Sequence, residues 1–332
     1  MVSRKEMARE DGAAVPTASA PPPTPVSKLP GYVRFPLLIV LSLATSMSLL
    51  SAASEFMDPQ LRAVCHSSNE DAKVVSSIAW KLTELSLGWF GNFDDIDLVS
   101  LSLLTHTPWY YLLYTFYGVE PTTIVICLAI DALSLAGPTR LLRPRAPAHN
   151  PRAPRAAVPN RAIISDVQTV LATSLLGASV YGVTLFGAFQ TFLPSFMIVH
   201  FENLPSLAAA HAANLPFLVA TLLPVGFAAR EFVLVPSLAA QTTRKDAERK
   251  AFNPETASFW DHVVYNLWGF SKGTRVLVKR TTALVALTSA HAWTHTGTVL
   301  EGADEVGAAG YSGVWATAGL LTGLVYAWVE NV

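Results

Sequence analysis

This chain has little charge and almost no cysteine. Of its 332 residues only 14% are charged and 51% are hydrophobic, and its mean hydropathy is +0.38, whereas a soluble domain carries about 25% charged residues. Too little polar surface exists to cover so much apolar surface in water, which excludes a soluble globular domain. Two cysteines, Cys65 and Cys127, exclude a disulfide framework, and Cys127 sits inside an apolar run as a small hydrophobe. No glycine-rich GxxxxGK[ST] loop is present, which excludes phosphate binding of that kind. No Lys or Arg follows Arg280, and the net charge is −1, so a nucleic-acid partner is not expected. No cofactor or metal site is expected either.

What is present is a series of long uncharged apolar runs. A helix rises about 1.5 Å per residue and a bilayer core is about 30 Å thick, so roughly 20 apolar residues make one crossing. Seven runs qualify: 35–54, 98–119, 122–139, 167–192, 204–229, 281–300 and 306–329. An eighth, 74–90, contains Lys81 and Glu84, three apart on one helical face where they are expected to pair. The fold class expected is therefore all-α, a polytopic transmembrane helical bundle of seven or eight spans. A disordered Ala/Pro-rich tail (1–34) precedes a multi-pass membrane domain (35–332). The first run is longer than a signal-peptide core and follows a long polar tail, so it reads as a retained anchor, with cleavage as the alternative. The tail contains acidic residues and is unlike a mitochondrial presequence. An integral protein of an endomembrane (ER/secretory pathway) or the plasma membrane is expected.

Basic loops stay cytoplasmic. The Arg/Pro-rich linker 140–161 carries six arginines and no acid, and the charged loop 230–280 is also basic, so both are assigned to the cytoplasm. Placing the tail there too requires 74–90 to cross, giving eight helices; seven would put the tail outside. Within the charged loop, Arg244, Lys245, Arg249, Lys250, Trp260 and Trp268 form the expected contact with the bilayer surface and its anionic headgroups. Pro108, Pro216 and Pro224 are expected to kink or break their spans. Glycines such as Gly177, Gly182, Gly319 and Gly323 are expected to let helices approach closely.

Ionisable groups at bilayer depth carry the functional expectation, since each costs about 2.5–3.5 kcal/mol there. Asp131, His106, His211, His291 and His295 qualify. His291 and His295, four apart, share a helical face, but a catalytic zinc needs a third protein ligand. Asp94, Asp95 and Asp97 are expected to cap a helix start, with Mg²⁺ binding as the alternative if a second acidic cluster faces them.

The stretch Ala257–Trp268 (ASFWDHVVYNLW), followed by an apolar run with His291, resembles the membrane-bound O-acyltransferases of wax-synthase type in Phe259, Trp260 and His262. Asp261 stands where that family has basic residues. The resemblance implies His291 as an acyl-transfer base; a transferase reading would add His295 or Asp131 from the residues at bilayer depth. The leading expectation is non-catalytic, a transport-like, receptor-like or scaffolding membrane protein. An enzyme would instead bring His262, His291 and Asp131 to one cavity.

Overall fold

The structure is a computed structural model that describes residues 29–64, 70–202, 204–241, 243, 252, 256–267, 270–300 and 302–331. It is all-helical, with no strand among the described residues and one isolated bridge between Phe201 and Ala303. The main helices are α1 (Gly31–Val64), α2 (Glu70–Phe90), α3 (Asp95–Tyr117) and α4 (Pro121–Leu142), then α5 (Arg161–Ser165), α6 (Val167–Gln190) and α7 (Leu193–His200). Short pieces follow as α8 (Ala208–His211), α9 (Leu215–Thr221), α10 (Leu223–Ala229) and α11 (Val235–Leu238), with a π-helical turn at Arg230–Leu234 before α11. The chain ends with α12 (Phe259–Leu267), α13 (Lys272–Thr298) and α14 (Glu305–Asn331).

Local chemistry fixes these boundaries. Asp94 accepts from the Asp97 N–H at 2.8 Å while the Asp97 carboxylate accepts from the Asp94 N–H at 3.3 Å, a capping box that starts α3. Gly118 ends it at φ +69°, a conformation that favours glycine. Asp166 and Ser271 cap α6 and α13 in the same way. Pro121 opens α4, where its missing N–H leaves no bond unmade.

Successive long helices alternate in direction. Phe35 at the start of α1 packs on Trp89 and Phe90 at the end of α2, and Arg140 and Arg145, at and just beyond the end of α4, reach Asp95 at the start of α3. Arg280 in α13 reaches Asp97, and Ser271 meets Glu330 at the end of α14. All of these lie at one end of the bundle. At the other, the Glu202 N–H donates to the Gly302 carbonyl and His200 pairs with Asp304. Between them lies a core drawn from α3, α6, α10, the π-turn, α13 and α14, including Leu104, Leu112, Tyr181, Phe232, Tyr311 and Trp315.

Among the described residues, four stretches are long and apolar enough to cross a membrane: Gly31–Met57, Pro121–Leu142, Val167–Gln190 and Glu305–Glu330. A fifth is the pair Leu215–Thr221 and Leu223–Leu238, bent by 55°.

Several expectations need correction. The apolar run 204–229 is not one helix: of the kink or break expected at Pro216 and Pro224 it is the break that occurs, each proline opening a new helix. Helix α3 continues through Pro108 and is not broken there. The charged loop is shorter than 230–280, since Arg230 and Glu231 lie buried in the π-turn and Lys272–Arg280 form the first turns of α13. Helix α1 begins at Gly31, inside the expected tail, whose residues 1–28 lie outside those described. Cys65 and the surface-contact residues Arg244, Lys245, Arg249, Lys250 and Trp268 also lie outside them.

Several glycines permit close helix approach: a Cβ on Gly177, Gly182 or Gly323 would meet Tyr326, Val219 or Thr281 at under 3 Å, while one on Gly319 would make only ordinary contact. A Cβ on Gly226 would collide with the Ser174 carbonyl and Ala178 of α6, whereas one on Gly187 would meet nothing within 4 Å. Gly226→Val is therefore expected to destabilise the detergent-solubilised protein by about 1–3 kcal/mol or more. Gly187→Val is expected to leave its thermal midpoint unchanged, so equal midpoints for the two variants would contradict this packing.

Candidate functional site

Two polar layers cross the bundle. The first lies at the end where the basic segments gather. Asp95 accepts from Arg145 Nε and Nη2 at 2.7–3.0 Å, with Arg140 at 3.4 Å. Asp94 accepts from the Ala146 N–H at 2.9 Å and pairs with His149 Nδ1 at 2.8 Å. Asp97 holds Arg280, which also donates to the Phe232 carbonyl at 2.9 Å and lies over the Phe93 and Phe232 rings. Arg143 donates to the Gly88, Trp89 and Phe93 carbonyls, capping the end of α2. Arg230 pairs with Glu231 and donates to the Ile164 carbonyl at 2.6 Å. The capping role expected for the aspartates is present, and the Arg/Pro segment is a strap folded back onto them. Among the described residues, the donor atoms of Asp94, Asp97 and His149 come within 4.8 Å of one another. Arg280 and His149 already pair with those carboxylates, and Glu231 lies 3.6 Å from the other ring nitrogen of His149.

The second layer is a chamber at mid-length, enclosing about 440 Å³ between α1, α2, α3, α4 and α13. Its polar groups are Lys81 and Glu84 from α2, His106 and Tyr110 from α3, Asp131 from α4, and His291 with His295 from α13. Helical spacing brings them here, since Lys81 and Glu84 share one face of α2 and His291 and His295 one face of α13. The expected Lys81–Glu84 pairing gives way to ion-pair contacts across helices: Lys81 Nζ lies 3.8 Å from Asp131, and Glu84 lies 3.5 Å from His106 Nε2. Asp131 also accepts from the Tyr110 hydroxyl at 3.0 Å and lies 3.4 Å from His106 Nδ1. Ser102 Oγ is 2.9 Å from the same nitrogen. The imidazoles form a file, with His106 and His291 centroids 4.3 Å apart and His291 and His295 4.0 Å apart. Trp80 packs on His291, and Trp109 on His295.

The remaining wall is apolar. Leu43, Met47 and Leu50 of α1 face Val74 and Ile78 of α2 across it, and Met47, Leu50 and Val74 are exposed on the outside of the bundle. The chamber thus opens sideways between α1 and α2.

Asp131, His106, His291 and His295 therefore meet, and Lys81 and Glu84 join them. The signal for the last two was their charge inside an apolar run, which reads as self-pairing until the fold supplies other partners. His211 does not join, being exposed at the end of α8. His262 packs on Phe252 in the segment of α12, where Phe259 and Trp260 are exposed. The three residues that carry the acyltransferase resemblance are thus separate from His291.

Residues 166–329, just under half of the chain, match the family described as Bouquet formation protein 3 C-terminal domain. No curated protein matches the chain. No solved structure matches it. The matched region contains α6 to α13 and nearly all of α14, hence His291, His295 and Arg280, while Lys81, Glu84, His106 and Asp131 come from the segment before it.

The strap carries a pH dependence. Burial disfavours the charged imidazole of His149, but its hydrogen bond to Asp94, and the charges of Asp94, Asp97 and Glu231, raise it above the usual histidine value. Burial pushes Asp94 up, and the bond and charge of His149 with the Asp97 and Ala146 N–H groups outweigh that and hold it below the usual carboxylate range. The His149 contribution is fully present below about pH 6.5 and is lost as pH rises through the raised folded value; that of Asp94 is present above about pH 3.9 and is lost as pH falls through the depressed one. Limited proteolysis within 144–160 is expected to be slowest between those limits and to accelerate on the alkaline side. His149→Gln should remove the alkaline limb, and an unchanged limb would exclude His149 as its source.

Proposed function

We propose that this is a multi-pass membrane protein of an endomembrane or the plasma membrane, with eight crossings, whose role is binding or scaffolding without catalysis. The observation that carries the reading is the convergence of Lys81, Glu84, His106, Asp131, His291 and His295 on one laterally open chamber. Ionisable groups at such depth are costly, and they persist where they face a bundle interior and pair with one another. Supporting eight crossings, the Arg/Pro strap, Arg230 and Arg280 gather with the start of α1 at one end of alternating helices. That end is cytoplasmic on the positive-inside rule. The similarity of 166–329 to a family named for bouquet formation, a process and not a reaction, favours a non-catalytic role.

The exposed Phe259 and Trp260 of α12 suit an amphipathic helix resting on anionic headgroups. A membrane-embedded transferase using His291 is the second reading, favoured by the unpartnered Nδ1 of that residue within the chamber. It requires an acyl donor site that the separate position of His262 does not supply.

Glycosylation acceptors placed at the tail, near Asn69, at the strap and near Glu301 test the topology. Modification is expected at Asn69 and Glu301 alone, and modification of the tail would replace eight crossings by seven. Asp131→Asn is expected to impair the cellular role while the protein accumulates normally. Full activity of that variant would remove the chamber from the function.

A further inference from the structure

Four polar atoms on the chamber wall fall short of hydrogen-bond geometry: both carboxylate oxygens of Glu84, whose nearest charged neighbour is His106 Nε2 at 3.5 Å, the indole Nε1 of Trp80 beside that carboxylate, and Nδ1 of His291. Glu84 is 1% exposed and His291 2%, so bulk water does not satisfy them, and buried polar groups are otherwise almost always partnered. The other carboxylate, Asp131, is already engaged by Tyr110, Lys81 and His106. The incompletely satisfied elements are thus a carboxylate held only loosely by His106 and the Trp80 N–H, with an imidazole nitrogen beside it. Trp80, Trp109 and Tyr110 add aromatic surface of the kind that attracts a cation. From there the wall turns apolar at Leu43, Met47, Leu50, Val74 and Ile78, leading sideways out of the bundle.

The geometry points to the chamber as a binding site for a single-chain lipid with an amino-alcohol head. The ammonium group donates to Glu84, forming the charge-assisted bonds that the carboxylate lacks. The hydroxyl accepts from Trp80 and completes His291. The hydrocarbon chain leaves between α1 and α2 into the bilayer. A fatty acid is disfavoured, because its carboxylate would face Glu84 and Asp131 while Lys81 is already held by Asp131. A cavity of about 440 Å³ falls within the usual range for small-ligand sites. This inference rests on the proposed membrane-embedded binding role and specifies its ligand class.

The test is native mass spectrometry of the full chain released from an uncharged detergent, titrated with 2-amino-1-octadecanol, 1-octadecanol and octadecanoic acid in parallel. A one-to-one adduct with the amino alcohol alone is expected, weakened about tenfold or more by Glu84→Gln. Met47→Trp, which narrows the mouth and leaves the polar groups intact, should weaken it too, and it decides the matter if the Glu84 variant does not fold. Equal binding of the alcohol or the acid, an adduct indifferent to both variants, or no adduct would overturn the inference. Glycosylation mapping is independent of this readout, so a correct topology without an amine adduct removes the ligand and not the membrane reading.

Discussion

The bundle is registered by a buried ion pair between residues 183 positions apart, Asp97 at the start of α3 and Arg280 in α13. A carboxylate with no exposure and a nearly buried guanidinium can be kept at that depth only together, since removing either partner of such a pair costs about 3–5 kcal/mol. That constraint fixes how far α3 and α13 can slide past each other. Nine residues along α3 lies His106 and eleven along α13 lies His291, which at 1.5 Å per residue places them about 13 and 16 Å beyond the pair. The two imidazoles are therefore level, and their rings meet. The polar chamber is a consequence of a register set by charges at the end of the bundle.

The same end explains why an arginine-rich strap is ordered. Asp94 and Asp95 are already needed to begin α3, where carboxylates complement the positive end of the helix dipole. Each also has oxygens left over, and the strap returns His149 and Arg145 to them. Arg143 spends its donors on the last carbonyls of α2. One turn, 91–94, thus has both of its helix ends satisfied by a segment some 50 residues later. This arrangement is also why Arg230 and Arg280 belong to the bundle and not to a surface loop.

The elements legible in the sequence are those set by local chemistry. Uncharged runs located α4, α6 and α14 within a few residues and the start of α1, which continues ten residues past its apolar run to Val64; the Asp94 cap and the shared face of His291 and His295 follow from spacing alone. What was not legible depended on partners distant in the chain. Arg230 and Glu231 read as loop because charge ends an apolar run, yet Arg230 is satisfied by Thr173 and the Ile164 carbonyl. Lys81 and Glu84 read as mutual partners because a one-helix view offers no others. The break at Pro216 and Pro224 was visible as two prolines; their role as helix starters depended on Asn214 and Leu222 leaving the helical path before them.

The chamber is too large to be a packing fault. Cavities left in protein interiors cost about 24 cal/mol per Å³, so a sealed and empty volume of about 440 Å³ would cost on the order of 10 kcal/mol, as much as a whole domain's stability. Closing it would require α1 to move inward over Lys81 and Glu84, and of the α1 residues that line the chamber, Leu43, Ser46, Met47 and Leu50, only Ser46 has a side chain that can bond them. Filling it with lipid tails alone would strand the Glu84 carboxylate and the His291 nitrogen in hydrocarbon. The cheapest occupant is one that is polar at the Glu84 end and apolar at the Met47 end. The charges and the opening are thus two halves of one requirement, which neither a solid core nor a purely aqueous pore would meet.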